Sequence, residues 1–144
     1  MSTRALPVSR DDLRSAAETL GRGTSARLIV LFGSAARPPA RGSRAPEDFD
    51  LGVLQDAPLD LVDVTNRFIR ALRVQTVDVS DLRRADPLLL MLAARDGVPL
   101  YEREPGEFAR FASLAVRRYA DTRKFRVSER DEVRDFVIRS ATRR

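Results

Sequence analysis

The stretch from Arg27 to Leu54, RLIVLFGSAARPPARGSRAPEDFDLGVL, decides how this chain is read. Its apolar run Leu28-Ile29-Val30-Leu31-Phe32 stops at Gly33-Ser34. Apolar residues without alternation are what a strand covered on both faces requires. A loop rich in proline, arginine and glycine follows, and Asp48-Phe49-Asp50 then opens a second apolar run that ends at Leu54. The expected strands are residues 27–32 and 48–54. Side chains two residues apart on a strand share a face. Asp48 and Asp50 therefore project together, with Phe49 turned to the other side. Two adjacent carboxylates repel each other and are costly to bury unpaired. A divalent cation between them removes both penalties, and oxygen-only ligands suit Mg²⁺, which keeps water and substrate phosphates in its shell. Gly33-Ser34 fits the phosphate end: glycine lets the backbone approach an anion, and serine adds a hydroxyl donor. A short helix from Ser34 through Arg37 would aim free N–H groups at the same anion. Each piece alone is an ordinary turn or cap. Their order, each beside an apolar strand, points to a phosphate-handling site.

Working outward, the rest of the chain supplies a frame for that pair of strands. Ser9 is placed to cap a first helix, with Asp12 at its third position. Leu13, Ala16, Ala17 and Leu20 fall on one face, and Gly21 and Gly23 are expected to stop it. Asp56 before Pro58 reads as the start of a second helix over about residues 59–73, with Leu61, Val64, Phe68, Ile69 and Leu72 as its apolar stripe. A third strand is expected over residues 75–82, with Asp78 on the face of Thr76 and Ser80. Asp86-Pro87 caps and opens a helix whose Leu88 to Ala94 segment is apolar almost all round, and Gly97 ends it. Val98 to Tyr101 reads as a short edge strand. From Pro105 the pattern is helical: Phe108, Phe111, Ala112, Ala115 and Tyr119 form one stripe, and a second piece, Ser128 to Ser140, carries Val133, Phe136 and Val137. The domain reading is a core over residues 1–104 and a helical extension over 105–144, packed on the core or on a partner.

Composition removes several chemistries. The 144 residues contain no cysteine and no histidine, which excludes disulfides, thiolate and imidazole ligands, and histidine-based catalysis. Acid–base work falls to carboxylates, lysine or tyrosine. No apolar run reaches the roughly 18 residues of a membrane span, and Met1 to Ser9 lacks the apolar centre of a signal peptide. The expected location is cytoplasmic. The net charge of +5 is carried almost entirely by arginine spread along the chain. The few aromatic residues argue against a nucleic-acid groove.

Gly33-Ser34-x-Ala36-Arg37, followed by Asp48-x-Asp50-Leu51 on a strand, resembles the nucleotidyltransferase signature of the DNA polymerase β superfamily. The small size points to the minimal nucleotidyltransferases (MNT), the antitoxin half of HEPN/MNT toxin–antitoxin pairs. Val77 through Pro87 and Gly97 through Tyr101 are similar to that family's downstream sequence, so the likeness covers about residues 10–125. The loop over 35–47 is longer than usual, and Pro38-Pro39 stands where a glycine commonly follows the arginine. The resemblance implies an α/β (α+β) polymerase β-like fold, a mixed sheet of about four strands flanked by helices with a helical C-terminus. It implies ATP as substrate and two Mg²⁺ ions held by Asp48, Asp50 and Asp78, with Gly33, Ser34 and Arg37 on the nucleotide. Asp78 is the third carboxylate, serving the catalytic ion and the nucleophile's proton. Asp81 is the alternative, because a one-residue register shift exchanges the faces.

Three functions follow as expectations. The first is AMP transfer to a tyrosine hydroxyl of a cognate HEPN ribonuclease toxin, in a hetero-oligomer. The second is an antitoxin that masks the toxin by contact alone. The third is a nucleotidyltransferase acting on RNA or a small molecule, which the short chain disfavours because it leaves little room for a separate substrate domain.

Overall fold

Strand β1, Ala26–Phe32, is the centre of the molecule, and all of it except Arg27 is buried. The computed structural model describes residues 7–38, 41, 42, 46 and 48–142; the side chains of 126–129, 132, 133 and 140–142 are also outside the description. Pro39, Arg44 and Glu47 of the long loop, the helical-stripe residue Val133, and Arg143 and Arg144 thus lie outside what is described. Strand β2, Asp50–Gln55, runs antiparallel to β1; β3, Asp78–Asp81, runs parallel to β2; and β4, Val98–Glu102, closes the other edge antiparallel to β1. The sheet order is β3-β2-β1-β4.

The absence of alternation in β1 has the expected cause, since each face is covered. Ile29 and Leu31 meet α1, Arg10–Arg22, and α2, Leu61–Leu72, through Leu13, Ala17, Leu20, Val64, Phe68 and Leu72. Leu28, Val30 and Phe32 meet α3, Pro87–Asp96, and α4, Glu107–Asp121, through Leu90, Ala93, Phe111 and Ala115. Complete burial of a side chain of the size of Leu or Ile contributes about 1.5–3 kcal/mol, so this strand anchors both layers. The last helix, α5, Arg123–Thr142, follows α4.

Local chemistry sets the helix ends. The Asp12 N–H donates to Ser9 Oγ at 3.0 Å, and the Ser9 N–H donates back to Asp12 Oδ2 at 2.9 Å, so the capping box is closed in both directions. Asp86 accepts from the Leu89 N–H at 2.9 Å with Pro87 in the first turn, as its sequence requires.

Several expectations need correction. Gly21 lies inside α1, and Gly23 is its C-cap. The reason is packing: a Cβ on Gly21 would strike the ring of Tyr101 on β4. The second helix is capped by Asp60, which accepts from the Asp63 N–H at 3.1 Å. Asp56 instead accepts from Arg27 and Arg103, because the chain after β2 turns toward those guanidiniums. The regular part of β2 begins at Asp50, so Asp48 sits just ahead of the strand, and β3 is shorter than the apolar pattern implies. The third helix, whose apolar surface implies burial on several sides, leaves Leu88 55% and Leu92 38% exposed, because only its Leu90–Ala93 side joins the core.

The Gly21 contact gives a sign that propensity alone would reverse. Ala is better than Gly in a helix interior by about 1 kcal/mol, yet Gly21→Ala destabilises the protein by about 1–3 kcal/mol through overpacking against Tyr101. In a Tyr101→Ala background the same change becomes neutral or stabilising. Urea denaturation of the four proteins in this cycle checks both signs.

Candidate active site

The site is built at one end of the sheet, where β1 finishes and β2 and β3 begin. Phe49 is 3% exposed and packs among the α1 and α2 residues. By alternation, Asp50 points to the opposite face, the one covered by α3 and α4. The parallel register pairs Asp50 with Asp78 and Val53 with Asp81. Val77 is buried among the α1 and α2 residues, so Asp78 also turns to the α3–α4 face. Two carboxyls on neighbouring strands therefore stand side by side.

The electrostatics register that crowding. Burial pushes the Asp50 carboxyl above its ordinary value, and the negative charge of Asp78, a hydrogen bond between the two carboxyls, and the charge of Asp48 push it further. Asp78 and, more weakly, Asp48 thus both act on Asp50. Among the described residues, however, no three acidic side chains converge closely enough to form a ready-made metal cage. The exposed position of Asp48 ahead of the strand accounts for that. Asp81 does something else: its Oδ1 accepts the Arg83 N–H at 3.0 Å, closing the turn after β3.

Gly33 has φ +74° and ψ −156°, a combination open essentially only to glycine. A Cβ there would also strike Asp50 Oδ2. Glycine is needed at this position for two reasons at once, the backbone turn and the approach of the carboxylate. The helix expected from Ser34 is a single 3-10 turn, Ser34–Ala36. The N–H groups of Ala36 and Arg37 are bonded to Gly33 and Ser34 carbonyls, so the turn offers fewer free donors than an α-helical start. Ser34 and Arg37 are exposed.

Sequence reasoning missed one neighbour. Asp96, at the end of α3, pairs with Arg95 at 2.8 Å. Its carboxyl is held below its ordinary value chiefly by that hydrogen bond, with a smaller contribution from the charge of Arg37. The charge of Arg37 is thus felt at the C-terminal end of α3. Nothing in the pattern around Asp96 distinguishes it from an ordinary helix end. An electrostatic influence between residues so far apart in sequence is set by tertiary packing.

The donor set fits an oxygen-liganded divalent cation. Carboxylates that repel one another, with no nitrogen or sulfur ligand beside them, are relieved by such an ion.

No protein-family model and no curated protein matches the chain. Solved structures do. A chain of a complex between a tri-AMPylated HEPN toxin of Shewanella oneidensis and an MNT antitoxin superposes with TM-score 0.69 at 24% identity, over 87% of this chain and 98% of that one. A chain of a toxin–antitoxin crystal structure with AMP-PNP gives 0.68 at 23% identity, over 87% and 98%. A chain of an MntA–HepT complex gives 0.64 at 22% identity, over 86% and 95%. The fold is shared. The mixed four-stranded sheet flanked by helices, with its helical C-terminus, is the architecture expected from the sequence.

The raised Asp50 carboxyl has a stability consequence. A folded-state pKa above the unfolded value contributes stability below the unfolded pKa, and that contribution is lost as pH rises through the folded pKa. At neutral pH, ionised Asp50 therefore opposes folding. Asp50→Asn should raise the Tm of the metal-free protein at pH 7, with the difference shrinking as pH falls through the raised folded-state pKa and gone by the ordinary carboxylate value. Mg²⁺ should narrow the gap at pH 7 by stabilising only the wild type. Differential scanning calorimetry across pH, with and without Mg²⁺, measures this; an Asn variant less stable than wild type at pH 7 would contradict it.

Proposed function

We propose that this chain is an MNT-type antitoxin that transfers AMP from ATP to a tyrosine hydroxyl of a partner HEPN toxin. The observation that carries the reading is the pairing of Asp50 with Asp78 beside Gly33, at the open end of the sheet. The reading is supported by the shared fold, since solved complexes with that fold include one with AMP-PNP and one holding a tri-AMPylated HEPN toxin.

In this reading Asp48, Asp50 and Asp78 hold two Mg²⁺ ions, which supply charge neutralisation for the triphosphate. The Gly33 backbone lets the phosphates approach the strand end, with Ser34 as hydroxyl donor and Arg37 as a cation for a phosphate oxygen. Asp78 accepts the proton of the attacking hydroxyl. The new bond joins that oxygen to the α-phosphorus, and the bond from the α-phosphorus to the bridging oxygen breaks, so pyrophosphate leaves with the electron pair. Placing an adenylate on a ribonuclease adds negative charge where RNA phosphates must bind, which repels the substrate.

The partner surface is proposed to be the C-terminal part of the chain, as an extension of the core over residues 1–104. The buried core on the α4 side ends at Ala115. In α5, Phe125 is 72% and Phe136 70% exposed, with Val137 and Ile138 also in solvent. Arg123, Lys124, Arg134 and Arg139 frame them. Apolar side chains left in solvent within a basic frame suit a protein partner. No described helix is long and apolar enough to cross a membrane, so a lipid-spanning role does not account for them.

Two outcomes follow. Asp48→Ala and Asp50→Ala should lower transfer of labelled AMP to the toxin about a thousandfold or more, a loss of about 4 kcal/mol of transition-state stabilisation, with unchanged circular dichroism. Full transfer by either variant would overturn the site assignment. Truncation after Thr122 should preserve the fold and nucleotide binding while weakening toxin binding. Unfolding of the truncated chain, or unchanged toxin affinity, would overturn the interface.

A further inference from the structure

A second concave site lies on the α3–α4 face, outside the carboxylate cluster. It is a cavity of about 270 Å³. Its strand residues are Arg27, Leu54 and, just past β3, Leu82. These lie at the end of the sheet opposite Gly33, Asp50 and Asp78. From Asp50 to Leu54 the strand advances about 13 Å. Gly52 lies between them on the same face and is covered by Leu82, whose Cδ2 is 2.8 Å from where a Cβ would stand. That packing separates the cavity from the carboxylates.

The lining has two chemistries. The floor is apolar, formed by Leu54, Leu82, Leu90, Phe111 and Ala115. The mouth carries the guanidiniums of Arg83, Arg110 and Arg118, with Arg27 and Glu107 behind them. Charge accounting distinguishes these groups. Glu107 is 4% exposed, and its carboxylate is already taken by Arg27 at 3.1 Å and Arg110 at 3.4 Å. That cluster is structural: it fastens the first turn of α4 to the sheet. Among the described residues the Arg83 guanidinium donates only to the neutral carbonyls of Gln55 and Asp56, while its backbone N–H goes to Asp81. Arg118 has no carboxylate within ion-pair distance among the described residues, although it is one turn beyond the exposed Leu114 on the same side of α4. Two uncompensated guanidiniums therefore stand over an apolar floor.

We propose that this cavity binds a small amphiphilic anion, an apolar body of about six to ten carbons ending in a carboxylate or phosphate head. The body displaces water from the Leu54–Leu82–Phe111 floor, and the head takes the forks of Arg83 and Arg118, whose planar donors match such oxyanions. Neither half suffices alone. A bare anion gains little at exposed guanidiniums in water, and a neutral chain leaves the two cations uncompensated.

Octanoate, octanol and acetate, each titrated calorimetrically into the full-length protein, test the proposal. Octanoate should bind at least about tenfold more tightly than either control. Arg118→Glu, at an exposed position, should weaken octanoate by about tenfold or more, as should Arg83→Gln, with circular dichroism unchanged. Octyl phosphate in place of octanoate decides which head group is preferred, and binding by either supports the site. Equal binding of octanol, unchanged affinity in both variants, or no binding at all would overturn it. Displacement of octanoate by ATP with Mg²⁺ would assign the cavity to the nucleotide site and also overturn it. Because neither variant touches the carboxylates, AMP transfer should persist in both, so failure here is separable from failure of the nucleotidyltransferase reading.

Discussion

The parallel register of β2 and β3, which sets Asp50 opposite Asp78, is the constraint on which the site depends. Parallel neighbours in register bring equivalent positions side by side, so two acidic residues at paired positions must share one small volume. The fold carries that electrostatic cost at its open edge, where Asp50 is only half-buried and its carboxyl is pushed above its ordinary value. A plain core would hold no such pair. Repelling carboxyls retained at a strand end are expected where a cation and a phosphate are to be held.

Everything beneath that edge serves to keep it rigid. β1 is buried on both faces and bonds to β2 and β4. It presents Gly33 at the point where its hydrogen bonding ends. The turn at Gly33 and the position of Asp50 are mutually constrained, because any side chain on Gly33 would occupy the space of the Asp50 carboxylate. At the far end of the sheet, Arg27 bridges Asp56 and Glu107 and so ties the chain after β2 to the start of α4. One strand thus carries the Gly33 turn at one end and the fastening of the helical layer at the other.

Much of this was legible from residues alone. The unbroken apolar run of β1 implied a two-sided sheet, and Ser9–Asp12 and Asp86–Pro87 marked helix starts with their own hydrogen-bond chemistry. The alternation through Asp48-Phe49-Asp50 turned Phe49 away from the carboxylates, and the face it meets is the α1–α2 core. The failures have physical reasons. Gly21 reads as a helix stop by propensity, whereas here it makes room for Tyr101, a partner 80 residues away. Asp56 and Asp60 are equally good caps in isolation, and only the ion pairs of Asp56 with Arg27 and Arg103 decide between them. The exposure of Leu88 and Leu92 was not legible, because apolarity alone does not say which helix faces are covered. The influence of the Arg37 charge on Asp96 leaves no local trace at all. Contacts fixed by the meeting of distant segments are the part that composition and periodicity cannot encode.

The central claim is that the carboxylates at this sheet end form one cation and nucleotide site. A crystal structure of the wild-type protein with Mn²⁺ and a non-hydrolysable ATP analogue tests it most directly, because anomalous scattering locates the metal without reference to the chain. The account predicts Mn²⁺ bound by Asp48 and Asp50, a second ion reached by Asp78, and the triphosphate lying against Gly33-Ser34. Metal bound at Asp81, or an Asp78 side chain turned away from Asp50 in the complex, would contradict it.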